Sequence, residues 1–117
     1  MALRVLVCGG RDYDNATVVE TTLNDIHSEY SITTIIQGEA KGADHLGKLW
    51  AIGRGIETID CPAQWDLYGK SAGYILNIYM LPMHPDLVVA FLGGRGTKMV
   101  VNISRKAGVE VIKVGNS

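Results

Sequence analysis

Five short apolar runs recur along this chain, and the stretches between them carry apolar residues at helical spacing. The runs are LRVLVC (3–8), ITTIIQ (32–37), IETIDC (56–61), DLVVAF (86–91) and VEVIKV (109–114). Each is rich in leucine or β-branched residues and is followed closely by glycine or proline, the pattern of a buried strand. Between them, NATVVETTLNDIHSEY (15–30) sets Val19, Leu23 and Ile26 on one helical face, with Asp14 as the expected N-cap. GADHLGKLWAIGRG (42–55) turns Ala43, Leu46, Leu49 and Trp50 inward and closes at Gly55. GKSAGYILNIYMLP (69–82) opens with glycines and becomes helical through Ile75, Ile78 and Tyr79, and TKMVVNISRKAG (97–108) is a helix ending at Gly108. Five strands alternating with four helices imply an α/β fold with a parallel sheet covered on both faces. The nearly continuous apolar character of the strands agrees with that.

The 117 residues fit one domain, 1–117, and no linker or low-complexity stretch divides them. A chain of this size buries a core without disulfides or a structural metal. Hydrophobic residues make up 47% and charged residues 20%, a globular balance. The formal net charge of −1 lacks the basic excess of a dedicated duplex-DNA binder, so nucleic acid is not the expected partner. Cys8 and Cys61 form no disulfide framework, and the cysteines and histidines show no zinc spacing. No metal and no cofactor is expected. The start, MALRVLVCGG, is too short and too soon interrupted for a signal peptide, and no run reaches membrane-spanning length. The expectation is a soluble cytoplasmic domain.

Two of the five strands end on the same three residues, in VCGGRDY (7–13) and FLGGRGT (91–97). In an open parallel sheet, ligands bind beyond the carboxyl ends of the strands, where strand order reverses. With strand order 3-2-1-4-5, the first and fourth strands are neighbours at that point. Gly9-Gly10-Arg11 and Gly93-Gly94-Arg95 then stand side by side. Glycines let backbone approach a ligand, each following helix offers free N–H groups, and the arginines add charge-assisted contacts. QGEAKGADH (37–45) brings Gly38, Lys41, Gly42 and Asp44 to the same rim, and GKSAG (69–73) brings Lys70 and Ser71. Four such loops point to a phosphate or nucleotide site. None matches the P-loop pattern, and GGRGT lacks the GxGxxG spacing.

RVLVCGGRDY, GEAKGADHLGKLWA, PAQWDLYGKSAGYILNIYML and PDLVVAFLGGRGTKMV, in this order, resemble the SLOG superfamily and more narrowly its YspA-like branch. The resemblance covers nearly the whole chain. It implies a Rossmann-like domain and a nucleotide-like ligand, without fixing a reaction. SLOG relatives include the Lonely Guy phosphoribohydrolases, proteins of the DprA type that process DNA, and sensors of ADP-ribose-like signals in antiphage defence. Relative to the Lonely Guy motif PGGxGTxxE, Leu92 replaces the proline and Val100 stands where the catalytic glutamate belongs. Leu76 replaces the arginine of the helix segment, while Asn77 and Met80 are kept. Cleaving an N-glycosidic bond needs charge stabilisation and help for the leaving base, so these losses favour binding over hydrolysis. The alternative is a phosphoribohydrolase with a rearranged set of acids, drawn from Asp12, Glu39 and Asp44. A DNA-processing accessory role ranks third.

The expected ligand site is therefore Gly9, Gly10, Arg11, Gly93, Gly94, Arg95, Gly96 and Thr97, with Gly38, Lys41, Gly42 and Asp44 behind them. Asp12 is placed to bond a ribose hydroxyl or to cap the first helix. Lys41 and Asp44 are placed for the ligand or for a loop salt bridge, and Thr97 for a phosphate or as an N-cap. Lys70 and Ser71 suit a phosphate cradle or a solvated helix start; Trp65 and Tyr68 suit base stacking or cover for the core. Trp50 reads as core and Cys8 as a buried, inert thiol. The apolar stretch GYILNIYMLPM (73–83) suggests a homo-oligomer interface, in line with the assemblies common among SLOG proteins.

Overall fold

The computed structural model describes residues 2–38, 41–60 and 85–115. In chain order these form β1 (Leu3–Cys8), α1 (Ala16–Tyr30), β2 (Ile32–Gln37), α2 (Ala43–Gly53), β3 (Glu57–Asp60), β4 (Leu87–Ala90), α3 (Arg95–Lys106) and β5 (Glu110–Lys113). The expected helix over 69–82 lies outside the described residues, as do Glu39, Cys61, Trp65, Tyr68, Lys70, Ser71, Leu76 and Asn77.

The sheet has five strands in the order β3-β2-β1-β4-β5, and every pairing is parallel. The expected fold and strand order are both present. The direction of winding reverses between β1 and β4: β1, α1, β2, α2 and β3 wind one way from the centre, and β4, α3 and β5 the other. Right-handed crossovers then place α1 and α2 on one face and α3 on the opposite face. The core follows that division. Val5, Val7, Ile35, Val89 and Phe91 pack with Val19, Leu23 and Ile26 of α1 and Trp50 and Ala51 of α2. Their strand neighbours Leu6, Cys8, Ile36, Val88 and Ala90 pack with Val100 and Val101 of α3. β4 is apolar throughout, and β1 and β2 are largely so, because both parities are buried. The outer strands β3 and β5 are partly exposed, so their side chains are mixed.

Four local expectations change. Helix α1 is capped by Asn15, not Asp14: the Asn15 side-chain oxygen accepts from the Val18 N–H at 3.1 Å, while the Asp14 carbonyl accepts from Ala16 in the preceding turn. Leu49 points outward and is 50% exposed. The buried stripe of α2 runs through Ala43, Asp44, Gly47, Trp50 and Ala51, and at 100° per residue Leu49 falls outside it. Helix α3 begins at Arg95, two residues before the expected start, with Gly94 at the N-cap. Thr97 is therefore its third helical residue and not its cap. Trp50 is buried as expected, with its indole N–H bonded to Asn24 at 2.9 Å.

Candidate functional site

The carboxyl ends of the strands lie in register. Gln37 pairs with Asp60, Cys8 with Ala90, and Ala90 with Lys113. The ladder continues into the loops: Phe91 donates to the Cys8 carbonyl at 2.9 Å, and Gly10 to the Leu92 carbonyl at 2.9 Å. This brings the two Gly-Gly-Arg segments side by side.

The space around the glycines shows what they do for the fold. A Cβ at Gly9 would stand 2.5 Å from Ala43 Cβ and 3.1 Å from Phe91 Cβ. One at Gly10 would stand 3.0 Å from the Leu92 oxygen, and one at Gly93 2.7 Å from the Gly10 nitrogen. Gly42 has φ +80°, and a side chain there would run into the Gly10 carbonyl. These four glycines thus let three loops close on one another. The Gly10 carbonyl is the hub, accepting from Tyr13 at 3.2 Å and from Ala43 at 3.3 Å. Gly94 differs, because a Cβ there would meet no atom within 4 Å.

The three described helices begin in different electrostatic situations. Helix α1 is closed by Asn15. Helix α2 gives its first N–H to the Gly10 carbonyl and carries Asp44 in its first turn, where a negative charge complements the positive helix end. Helix α3 starts at glycine, with no side-chain cap and no acidic residue in its first turn. Of the three, α3 is the one whose N–H groups and dipole suit an external anion.

Asp44 is buried, and its carboxylate accepts the Gly38 N–H at 3.0 Å. It holds the second loop to the start of α2. Arg11, Asp12 and Lys41 are exposed at the rim, Gly38 is buried, and Thr97 is buried with its hydroxyl beside Gly93. The backbone of Arg95 and Gly96 forms the first turn of α3. Burial, aided by the Asp44 charge, pushes the Cys8 thiol up to about 12, and its Sγ lies 3.9 Å from the Val89 carbonyl. Cys8 is thus an inert thiol, as expected. Val100, at the position of the Lonely Guy glutamate, is 2% exposed and packs into the core against the sheet.

Two groups had no place in the sequence reading. At the ends of β2 and β3, Asp60 accepts from the buried Gln37 amide and pairs with Lys48 at 3.0 Å. Beside the rim, a cavity of about 210 Å³ is lined by Ala90, Gly93, Thr97, Lys98, Val101, Asn102, Arg105 and Lys113. The spacing of Lys98, Asn102 and Arg105 was visible as one helical face. That Lys113 joins them required the strand register. Among the described residues, no cluster of acidic, histidine or cysteine side chains suits a metal, and no helix is long and apolar enough to cross a membrane.

The chain matches the model of the YspA, cpYpsA-related SLOG family over residues 3–68, from β1 to beyond β3. It is similar to the Gene 61 protein of Mycobacterium phage D29, with 33% identity over 121 aligned residues that cover 97% of each protein. No solved structure matches it. The family match spans more than half of the chain and the phage relative nearly all of it, so the chain belongs to the YspA, cpYpsA-related SLOG family.

Proposed function

We propose that this protein binds a nucleotide or nucleotide-derived signal, such as an ADP-ribose-like molecule, at the carboxyl edge of its sheet. The observation that carries this reading is the convergence of three glycine loops beside the start of α3, which has neither a cap nor an acidic residue. A phosphate bonded to the first turn of α3 would satisfy N–H groups that nothing in the helix can satisfy. Gly94 leaves open space at that point, Thr97 supplies a hydroxyl, and Arg11 and Arg95 supply charge. The phage relative supports a phage setting, in which the protein senses or sequesters a signalling nucleotide of host defence. A homo-oligomer built through residues 73–83 belongs to the same proposal, and light scattering on the purified protein tests it.

Binding without cleavage is the favoured form, because position 100 holds a buried valine where a phosphoribohydrolase needs a carboxylate. A thermal-shift screen tests the reading with nucleoside monophosphates, NAD, ADP-ribose, cyclic ADP-ribose and cyclic dinucleotides. Each mixture is then analysed by mass spectrometry. A ligand at a hundredfold its Kd stabilises the fold by roughly 2.7 kcal/mol. We expect a shift with the ligand recovered intact, reduced by Arg11→Ala, Arg95→Ala and Thr97→Val. Released free base, lost on changing Asp12, Glu39 or Asp44, would support the glycosidase instead. Strongly salt-dependent DNA binding would support the DNA-processing role. No shift with any compound would overturn the nucleotide reading.

A further inference from the structure

Helix α3 has an unusual charge pattern for a chain whose net charge is −1. Its twelve residues, RGTKMVVNISRK, hold Arg95, Lys98, Arg105 and Lys106 and no acidic residue. Arg105 and Lys106 suit the negative carboxyl end of the helix. Arg95 and Lys98 lie at the positive amino end, where a cation is unfavourable unless an anion is present.

Lys98, Asn102 and Arg105 follow one another at intervals of four and three and so share a face. That face lines the 210 Å³ cavity, and Lys113 joins it from the carboxyl end of β5. Ala90 and Val101 form apolar lining, and Gly93 and Thr97 at the head of the cavity belong to the rim. Three cations and no acid are among the described lining residues. None of the three cations has an ion-pair partner among the described residues. The groove therefore adjoins the proposed phosphate position, and its lining residues Lys98 and Arg105 are about 10 Å apart along the helix axis. It is smaller than the several hundred Å³ that enclose a whole small molecule, so it suits one end of a ligand. That spacing along the helix exceeds the separation of the two phosphorus atoms in a diphosphate, so it suits phosphates joined through a longer spacer.

We propose that this groove is a second phosphate subsite, and that the ligand is a nucleotide with two phosphate groups separated by a sugar. This rests on the nucleotide reading above and narrows it away from ADP-ribose itself, whose two phosphates are directly linked. One phosphate lies at the start of α3; the other lies in the groove that Asn102, Arg105 and Lys113 line.

Calorimetry at fixed ionic strength tests this with three probes: adenosine 5′-monophosphate, adenosine diphosphate, and adenosine phosphorylated on both its 3′ and 5′ hydroxyls. The bisphosphate is expected to bind about tenfold more tightly than either of the others. The exposed pair Arg105→Ala/Lys113→Ala removes that advantage and leaves monophosphate binding unchanged. Equal affinity of all three probes for the native protein would overturn the subsite while leaving the nucleotide reading intact. So would a double variant that weakens all three alike. If no probe binds, adenosine phosphates are excluded as ligands, and NMR titration with inorganic pyrophosphate decides the groove by itself. Saturable shifts at Asn102 and Arg105 that vanish in the double variant sustain an anion site there, and their absence overturns it.

Discussion

Gly42 and Ser104 show two ways in which one residue departs from what its neighbours would suggest. Gly42 sits at φ +80° against the Gly10 carbonyl, so any side chain there meets backbone strain and a collision together. Gly42→Ala is expected to destabilise the fold by about 3 kcal/mol, measured by urea denaturation. Ser104 is fully buried in α3, and its hydroxyl has no hydrogen-bond partner among the described residues. An unsatisfied buried hydroxyl carries a desolvation cost with nothing to offset it, so Ser104→Ala is expected to be neutral or to stabilise by up to about 1 kcal/mol. A loss of more than that would mean the hydroxyl has a partner in the folded protein. The sequence displayed both residues, but without any sign that one touches a carbonyl of another loop and that the other's hydroxyl finds no hydrogen-bond partner among the described residues.

At the scale of the element, helix ends are set by short-range chemistry that a sequence shows to within a residue or two. Asp14 and Asn15 are both good caps, and the choice between them rests on which oxygen reaches the Val18 N–H. Asn15→Ala is expected to cost about 1 kcal/mol, whereas Asp14→Ala leaves the cap in place. Gly53, the last residue of α2, has open space where a Cβ would go and no positive φ. Gly53→Ala is therefore expected to stabilise by about 0.5 kcal/mol, and paired denaturation curves for the variants check both values. The mistaken inward placement of Leu49 is of a different kind. Apolar residues at 46, 49, 50 and 52 surround much of α2, and only contact with β1 and α1 decides which of them are covered.

For the whole molecule, groups in separate elements act together at high pH. Burial raises the Cys8 thiol from 9.0 to about 12. Burial and then the charge of Asp14 raise the Tyr13 phenol, and Glu29 is the main cause for Tyr30. In each case the folded chain keeps its proton at a pH where the unfolded chain releases it. The stability contributed by these groups is complete below about pH 9 and is lost as the pH climbs toward 12. Chemical denaturation from pH 8 to 11 is expected to show a steady fall in stability, made shallower by Cys8→Ala. An unchanged slope in that variant would remove the thiol from the account.

The sequence by itself determined the α/β class, the positions of the five strands and three described helices, and the loops that form the rim. These follow from periodicity and from glycine and proline placement, which act over a few residues and are written along the chain. It also showed that two strands end alike. Only the tertiary structure decided that Gly10 and Gly93 are needed largely for each other, because their contact joins residues more than eighty positions apart. The same holds for the basic groove. Its helical half was legible as a spacing, but Lys113 enters it through the β4–β5 register. A cavity lies between elements, so its lining is fixed by how they pack and not by the local preferences of any one of them.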